Sequence, residues 1–197
     1  MNLLHAIDAM SPRLVGQLIV ACIVWTHLVA QAQSPSPGIS NAAGGMSRYV
    51  NPAEVASGAT AIAYRGDEEV ARRLISAVPQ PVTLLQAESA FFADGLFDRT
   101  LVGDVRPLKT LGFGLLFRRV LVLQISESRC AVQGDLEGIT LCQMNVEVIE
   151  VDPGSAAIVR RGRLTIQGKG FSMSSAYSRV LDDGDVKARL FFATVRQ

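Results

Sequence analysis

Three carboxylates fall close together in the stretch ADGLFDRTLVGD: Asp94, Asp98 and Asp104. Two carboxyl groups held at a fixed separation can hydrolyse a glycoside, one giving a proton while the other attacks or activates water. Nothing in the sequence fixes their geometry, and Asp94, before Gly95, also reads as the end of a helix. Asp182-Asp183-Gly184-Asp185 has the residue types of a calcium loop. It lacks the twelve-residue spacing and the terminal glutamate, and reads as a solvated turn. Gly112-Phe113-Gly114 and Gly168-Lys169-Gly170 lack the surroundings of a phosphate cradle: the first precedes a strand rather than a helix, and the second lies inside one. Glycines within a strand mark a bulge or a close backbone neighbour. Neither a Gly-x-Ser-x-Gly elbow nor a Ser-x-x-Lys pair occurs.

The only histidines are His5 and His27, and both lie in what reads as an export leader. Arg13 is followed by LVGQLIVACIVWTHLVA, then by the small-residue pattern Ala30-Gln31-Ala32, then by Gln33 and the polar SPSPG. This is the anatomy of a secretory signal peptide cut between Ala32 and Gln33. Asp8 sits awkwardly in the leader's charged region, and a start at Met10 rather than Met1 gives a more usual one. The rival reading is a lipobox, Ile19-Val20-Ala21-Cys22, with Cys22 lipidated; against it, the apolar run continues to Ala30. An uncleaved anchor is the remaining alternative, although the run is a little short of the about 20 residues a membrane span needs. The expected location is periplasmic or secreted.

Export removes every histidine, and with them Ser-His-Asp and Cys-His catalysis and all histidine-bearing metal sites. No metal or cofactor is expected. The 19 basic and 18 acidic residues lose one each with the leader. So balanced a chain has no electrostatic footprint for nucleic acid. Residues 33–57, rich in Pro, Ser, Gly and Asn at their start, read as a disordered linker, and 58–197 as a single domain.

Two cysteines stay with that domain, Cys130 and Cys142. An even pair in an exported chain points to a disulfide. The alternative is two small buried apolar side chains.

The elements that would position these residues centre on 119–171, read as three consecutive strands: VLVLQISESRC, ITLCQMNVEVIEVD and AAIVRRGRLTIQGKGF. Val120–Ile125 is apolar on both faces, as in a central strand. Cys142, Met144, Val146 and Val148 alternate with polar residues, as in a half-buried one. Asp152-Pro153-Gly154-Ser155 is a tight turn. Before the strands, Gly58–Tyr64 is a short strand, Asp67–Ala77 a helix with acidic residues in its first turn, Val82–Ala93 a second helix, Leu96–Gly103 a short strand or extended link, and Arg106–Leu111 a helical turn. After them a helix capped by Ser172 or Ser174 starts near Ser175 and is interrupted at Asp182–Asp185. Val186–Val195 fits a continued helix or a last strand. The fold class is α/β (α+β): a mixed, antiparallel-rich sheet of about 4–5 strands with helices packed on one face. Arg118-Arg119 and the trio Arg160, Arg161 and Arg163 are the visible basic clusters. Arg161 and Arg163 project from one face of their strand, either toward an acidic partner or lipid headgroup or as ordinary edge-strand charges.

Three segments carry a resemblance: GLFDRTL (95–101), VEVIEVDPGSAAIVR (146–160) and GKGFSMSSAY (168–177). They resemble a helix-then-strand segment, a strand–turn–strand and a strand-to-helix passage in the α/β domain of the curli-secretion-channel family. Its relatives include the lipoprotein activators of penicillin-binding proteins and the N-terminal domain of the Tol-system β-propeller protein. The resemblance spans 58–195 at the level of architecture. No insert for a membrane-spanning hairpin is visible, so it implies a soluble or peripheral relative. It further implies a non-enzymatic envelope protein, acting in assembly, secretion or regulation of a cell-surface structure by contacts with other envelope proteins or with copies of itself. The competing expectations are a ligand- or peptidoglycan-binding module and a carboxylate-based hydrolase.

Overall fold

The computed structural model describes residues 46–133 and 138–193. Cys22, Ala30, Ala32 and Gln33 lie outside the described residues. So does the linker as far as residue 45; residues 46–57 pack onto the domain, with Met46 and Tyr49 in its core.

Six strands form one sheet: β1 (Ala59–Arg65), β2 (Val82–Leu84), β3 (Phe117–Ile125), β4 (Arg129–Val132), β5 (Thr140–Asp152) and β6 (Ala157–Gly170). β1 runs parallel to β2 and β3, and the pairs made by β5 with β3, β4 and β6 are antiparallel. β6 pairs along the whole of β5, so β3 and β4 share the other edge of β5 end to end. The run VLVLQISESRC, expected as one strand, is thus two. The break comes at Ser126, whose Oγ accepts from the Asn145 N–H and whose own N–H donates to the Asn145 carbonyl.

The helices divide between the two faces. On one lie α1 (Glu68–Ser76) and a 21-residue C-terminal helix, called α6 below (Met173–Ala193), burying Val70, Leu74, Ala176, Val180 and Ala188 against Ile62, Leu121, Leu123, Met144, Val148 and Ile166. On the other lie α2 (Ala90–Ala93), α3 (Leu96–Leu101), α4 (Arg106–Thr110) and α5 (Phe113–Leu116). There Phe91, Phe97, Phe113 and Phe117 fill the space over Ala59, Ala61, Ala63, Val120 and Val122. Alternation explains the division. The alanines of β1 leave room for aromatic rings on one face, and Ile62 meets the long helices on the other.

Three further expectations change. Val82–Ala93 is not a helix: Val82–Leu84 pairs with β1, and only Ala90–Ala93 is helical. Pro81 and the β-branched Val82 and Thr83 beside the open edge of β1 favour a strand over a helix. Leu96–Gly103 is not the short strand or extended link expected: Leu96–Leu101 is a helix, and burial of Leu96, Phe97 and Thr100 follows the helical period. Asp182–Asp185 does not interrupt α6, where Gly184 packs toward Ile166 inside one continuous helix. The helix reading of 186–193 holds. Ser172 caps α6, its Oγ accepting from the Ser175 N–H at 3.1 Å.

Two glycines set the spacing between α6 and β6. A Cβ on Gly168 would fall 2.0 Å from the Ala176 carbonyl oxygen, and one on Gly170 2.6 Å from the Ala176 nitrogen. These glycines therefore mark a close backbone neighbour, one of the two roles read for strand glycines.

Candidate functional site

The three carboxylates of ADGLFDRTLVGD each meet a different cation. Asp94 accepts from the Tyr49 hydroxyl at 2.9 Å and pairs with Arg48. Asp98 takes two hydrogen bonds from the Arg65 guanidinium, at 2.8 and 3.2 Å, which hold its carboxyl below the usual range. Asp104 pairs with Arg99 at 2.7 Å. Each is held by its own cation, an arrangement suited to fixing short helices rather than to moving protons. Among the described residues, no group of three or more His, Cys, Asp or Glu stands so as to hold a metal. Nor is any described helix long and apolar enough to cross a membrane.

Cys130 and Cys142 are directly opposite each other on β4 and β5 and are joined by a disulfide, with their Cα atoms 4.1 Å apart. Cys142 is fully buried under α6. At the other end of β5 the turn Asp152-Pro153-Gly154-Ser155 returns the chain into β6. Its Asp152 Oδ1 accepts from the Ser155 and Gly154 N–H groups, and these hold the Asp152 carboxyl below its ordinary range.

The predicted arginine trio is divided between the faces. Arg161 is exposed on the α3 side, donating to Glu147 at 2.7 Å and to the Leu101 carbonyl at 3.2 Å. Alternation puts exposed Arg163 on the same side. Arg160 turns the other way, toward α6. Its guanidinium stacks 4.7 Å from the Phe191 ring centre and donates to the Phe191 carbonyl. The same group pairs with Glu150 at 3.5 Å, and Glu150 pairs with Arg119, also at 3.5 Å. The sequence identified Arg118-Arg119 as a cluster but not its meeting with Arg160, which requires β3, β5 and β6 to be adjacent.

β6 is the outermost strand on its side of the sheet, and its free edge has two parts. Over Thr165–Gln167 it is blocked: Lys187 donates to the Thr165 carbonyl at 2.6 Å, and Asp183 accepts from the Gln167 N–H at 2.8 Å. Here the acidic stretch of α6 covers a strand edge, one way of preventing unwanted pairing. Over residues 157–163 no described strand pairs with the edge, and Ile158 and Val159 stand exposed.

No family model matches this sequence, and no curated protein does. Solved structures show distant likeness in the course of the chain. Lipoprotein GNA1162 from Neisseria meningitidis is 14% identical over 71% of this chain and 99% of its own, with a TM-score of 0.41. The hypothetical protein CT253 from Chlamydia trachomatis is 15% identical over 71% of this chain and 99% of its own, with a TM-score of 0.39. The PelC dodecamer from Paraburkholderia phytofirmans is 16% identical over 66% of this chain and 86% of its own, with a TM-score of 0.35. The chain is thus similar at a distance to proteins described as lipoproteins, among others, and its likeness to the curli-channel group rests on the sequence motifs alone.

Proposed function

We propose that this chain is a non-enzymatic exported envelope protein that takes part in assembling, secreting or regulating a cell-surface structure by binding other proteins. The observation that carries the reading is the open edge of β6 at residues 157–163, beside blocked Thr165–Gln167. A strand edge closed by side chains along one part and left unpaired along another is suited to accept an extended segment of a partner by backbone hydrogen bonds. Arg163, which has no ion-pair partner among the described residues, favours an acidic segment as the occupant. The export leader read at the N-terminus and the Cys130–Cys142 disulfide support an oxidising compartment.

Proline tests this without dismantling the sheet. Thr165 and Gln167 turn backbone groups outward, so by alternation Arg163 does too, and Arg163→Pro removes a donor from the free edge rather than from the ladder with β5. Tagged, exported wild-type chain cross-linked in the envelope should retain a partner whose cross-linked segment is extended and acidic. The Arg163→Pro variant should lose that partner at unchanged melting temperature. Retention of the same partner by this variant, or cross-links that all map away from β6, would refute the docking edge. A second copy of this chain in the cross-link would replace the acidic partner with self-association.

A further inference from the structure

A cleft of about 200 Å³ opens on the α1/α6 face, at the end of the sheet where β1 and β3 begin. Its lining includes the charged Arg118, Arg119, Glu150 and Arg160 and the apolar Val78 and Pro79 after α1 and Phe192 near the end of α6. Two irregularities of the sheet flank it. In β3, Phe117 pairs with Ala59 and Arg119 with Thr60, so Arg118 is an extra residue. In β6, Arg160 pairs with Glu150 and Ile158 with Val151, so Val159 is another. Bulges re-aim side chains and concentrate beside functional sites. The bulge in β3 brings two consecutive arginines to one cleft, which an unbroken strand would have sent to opposite faces.

The hydrogen-bond donors in this cleft exceed its acceptors. Arg119 directs Nε to Glu150 at 3.5 Å and Nη1 to Asp152 at 3.3 Å and to the Arg118 carbonyl at 3.0 Å. Arg160 directs Nε to Glu150 and Nη1 to the Phe191 carbonyl. The Nη2 groups of both, and the whole Arg118 guanidinium, have no acceptor among the described residues. The side chains of Glu150 and Arg160 are only 15% and 14% exposed and that of Arg119 26%. Two guanidinium groups therefore share one interior carboxylate, and a third, that of Arg118, lines the same cleft.

We propose that this cleft binds an oxyanion, a carboxylate or phosphate group carried by a small ligand, with Arg118 and Arg119 as its principal donors and Phe192 and Pro79 against its apolar part. The inference is independent of the β6 docking edge. Guanidinium forks match both anions. The volume suits a headgroup rather than a drug-sized molecule, for which about 300–1,000 Å³ is usual.

Isothermal titration of the exported, disulfide-intact chain with inorganic phosphate, and separately with butyrate, tests the proposal. At least one should bind saturably at millimolar concentration or tighter, and the tighter one identifies the anion. Arg118 is exposed and outside every ion pair, so Arg118→Ala should leave the unliganded melting temperature unchanged. It should weaken binding about 10- to 100-fold, the worth of a charge-assisted hydrogen bond. Arg163→Ala, on the other face, should change nothing, and Glu150→Gln, which removes the internal competitor, should tighten binding. Absence of binding by either anion, equal weakening by Arg118→Ala and Arg163→Ala, or full affinity in Arg118→Ala would overturn it.

Discussion

Gly168→Ala places one methyl group against the backbone of α6. The new Cβ would lie 2.0 Å from the Ala176 carbonyl oxygen, 2.5 Å from the Val180 nitrogen and 2.9 Å from the Arg179 carbonyl carbon. None of these belongs to a side chain that could rotate away. The helix must move by roughly 1 Å or more to restore ordinary contact, loosening Val180 and Ala176 from Ile166 and Met144. Overpacking of this kind costs about 1–3 kcal/mol, and contact with backbone puts this case near the top. Gly184→Ala supplies the opposite sign in the same layer. Its Cβ would sit 3.7 Å from Ile166, in ordinary contact, and alanine within a helix is favoured over glycine by about 1 kcal/mol. Urea unfolding with the disulfide intact should place Gly168→Ala about 2–3 kcal/mol below wild type and Gly184→Ala about 0.5–1 kcal/mol above it. In a domain of this size the first corresponds to a melting temperature lower by about 5–10 °C. A Gly168→Ala protein as stable as wild type would refute the close approach of α6 to β6.

Replacing Cys130 and Cys142 together with alanine should cost about 3 kcal/mol, the loop-entropy value for a cross-link between positions 12 apart. A loss below about 1 kcal/mol by urea unfolding would contradict that account. Tyr177 on α6 donates to Asp67 Oδ2 at 2.7 Å, while the other oxygen of that carboxylate caps α1 through the Val70 N–H. Burial, and then the Asp67 bond, push the Tyr177 hydroxyl well above its ordinary pKa. A raised folded-state pKa means that the contribution is complete below about pH 10 and is lost as pH rises through the folded value. Tyr177→Phe should therefore lower stability by about 1 kcal/mol at neutral pH and flatten the alkaline fall. The phenolate signal of wild type minus Tyr177→Phe should emerge only above the normal tyrosine range, and its appearance near pH 10 would refute the contact.

The chain disclosed those features that depend on local pattern. Cys142, Met144, Val146 and Val148 are buried as their alternation requires, and Val120–Ile125 lies between strands with both faces covered. Val82–Leu84 was misread because its strand character comes from β1, more than 15 residues away, and three residues are too few to show a period. Leu96–Leu101 was misread for the converse reason: six residues of helix are held by aromatic packing rather than by their own signal. The cleft was the least legible feature. Its residues come from β1, β3, β5, β6 and α6, and the extra residue at Arg118 exists only relative to Ala59 and Thr60 on the neighbouring strand. Arg160, Arg161 and Arg163 read as one cluster because sequence proximity hides the alternation that sends Arg160 to the opposite face.

The glycine contact between β6 and α6 has a mechanical consequence. α6 is clamped near its start, where Ala176 and Val180 lie on the backbone at Gly168 and Gly170, and it runs from there to Phe192 at the wall of the cleft. Farther along, Asp183 and Lys187 fasten the same helix to Gln167 and Thr165, and Arg160 holds the Phe191 carbonyl. Over the about 18 Å from Val180 to Phe192 the helix is thus tied to β6 at nearly every turn, and the position of the cleft wall is set by that one strand.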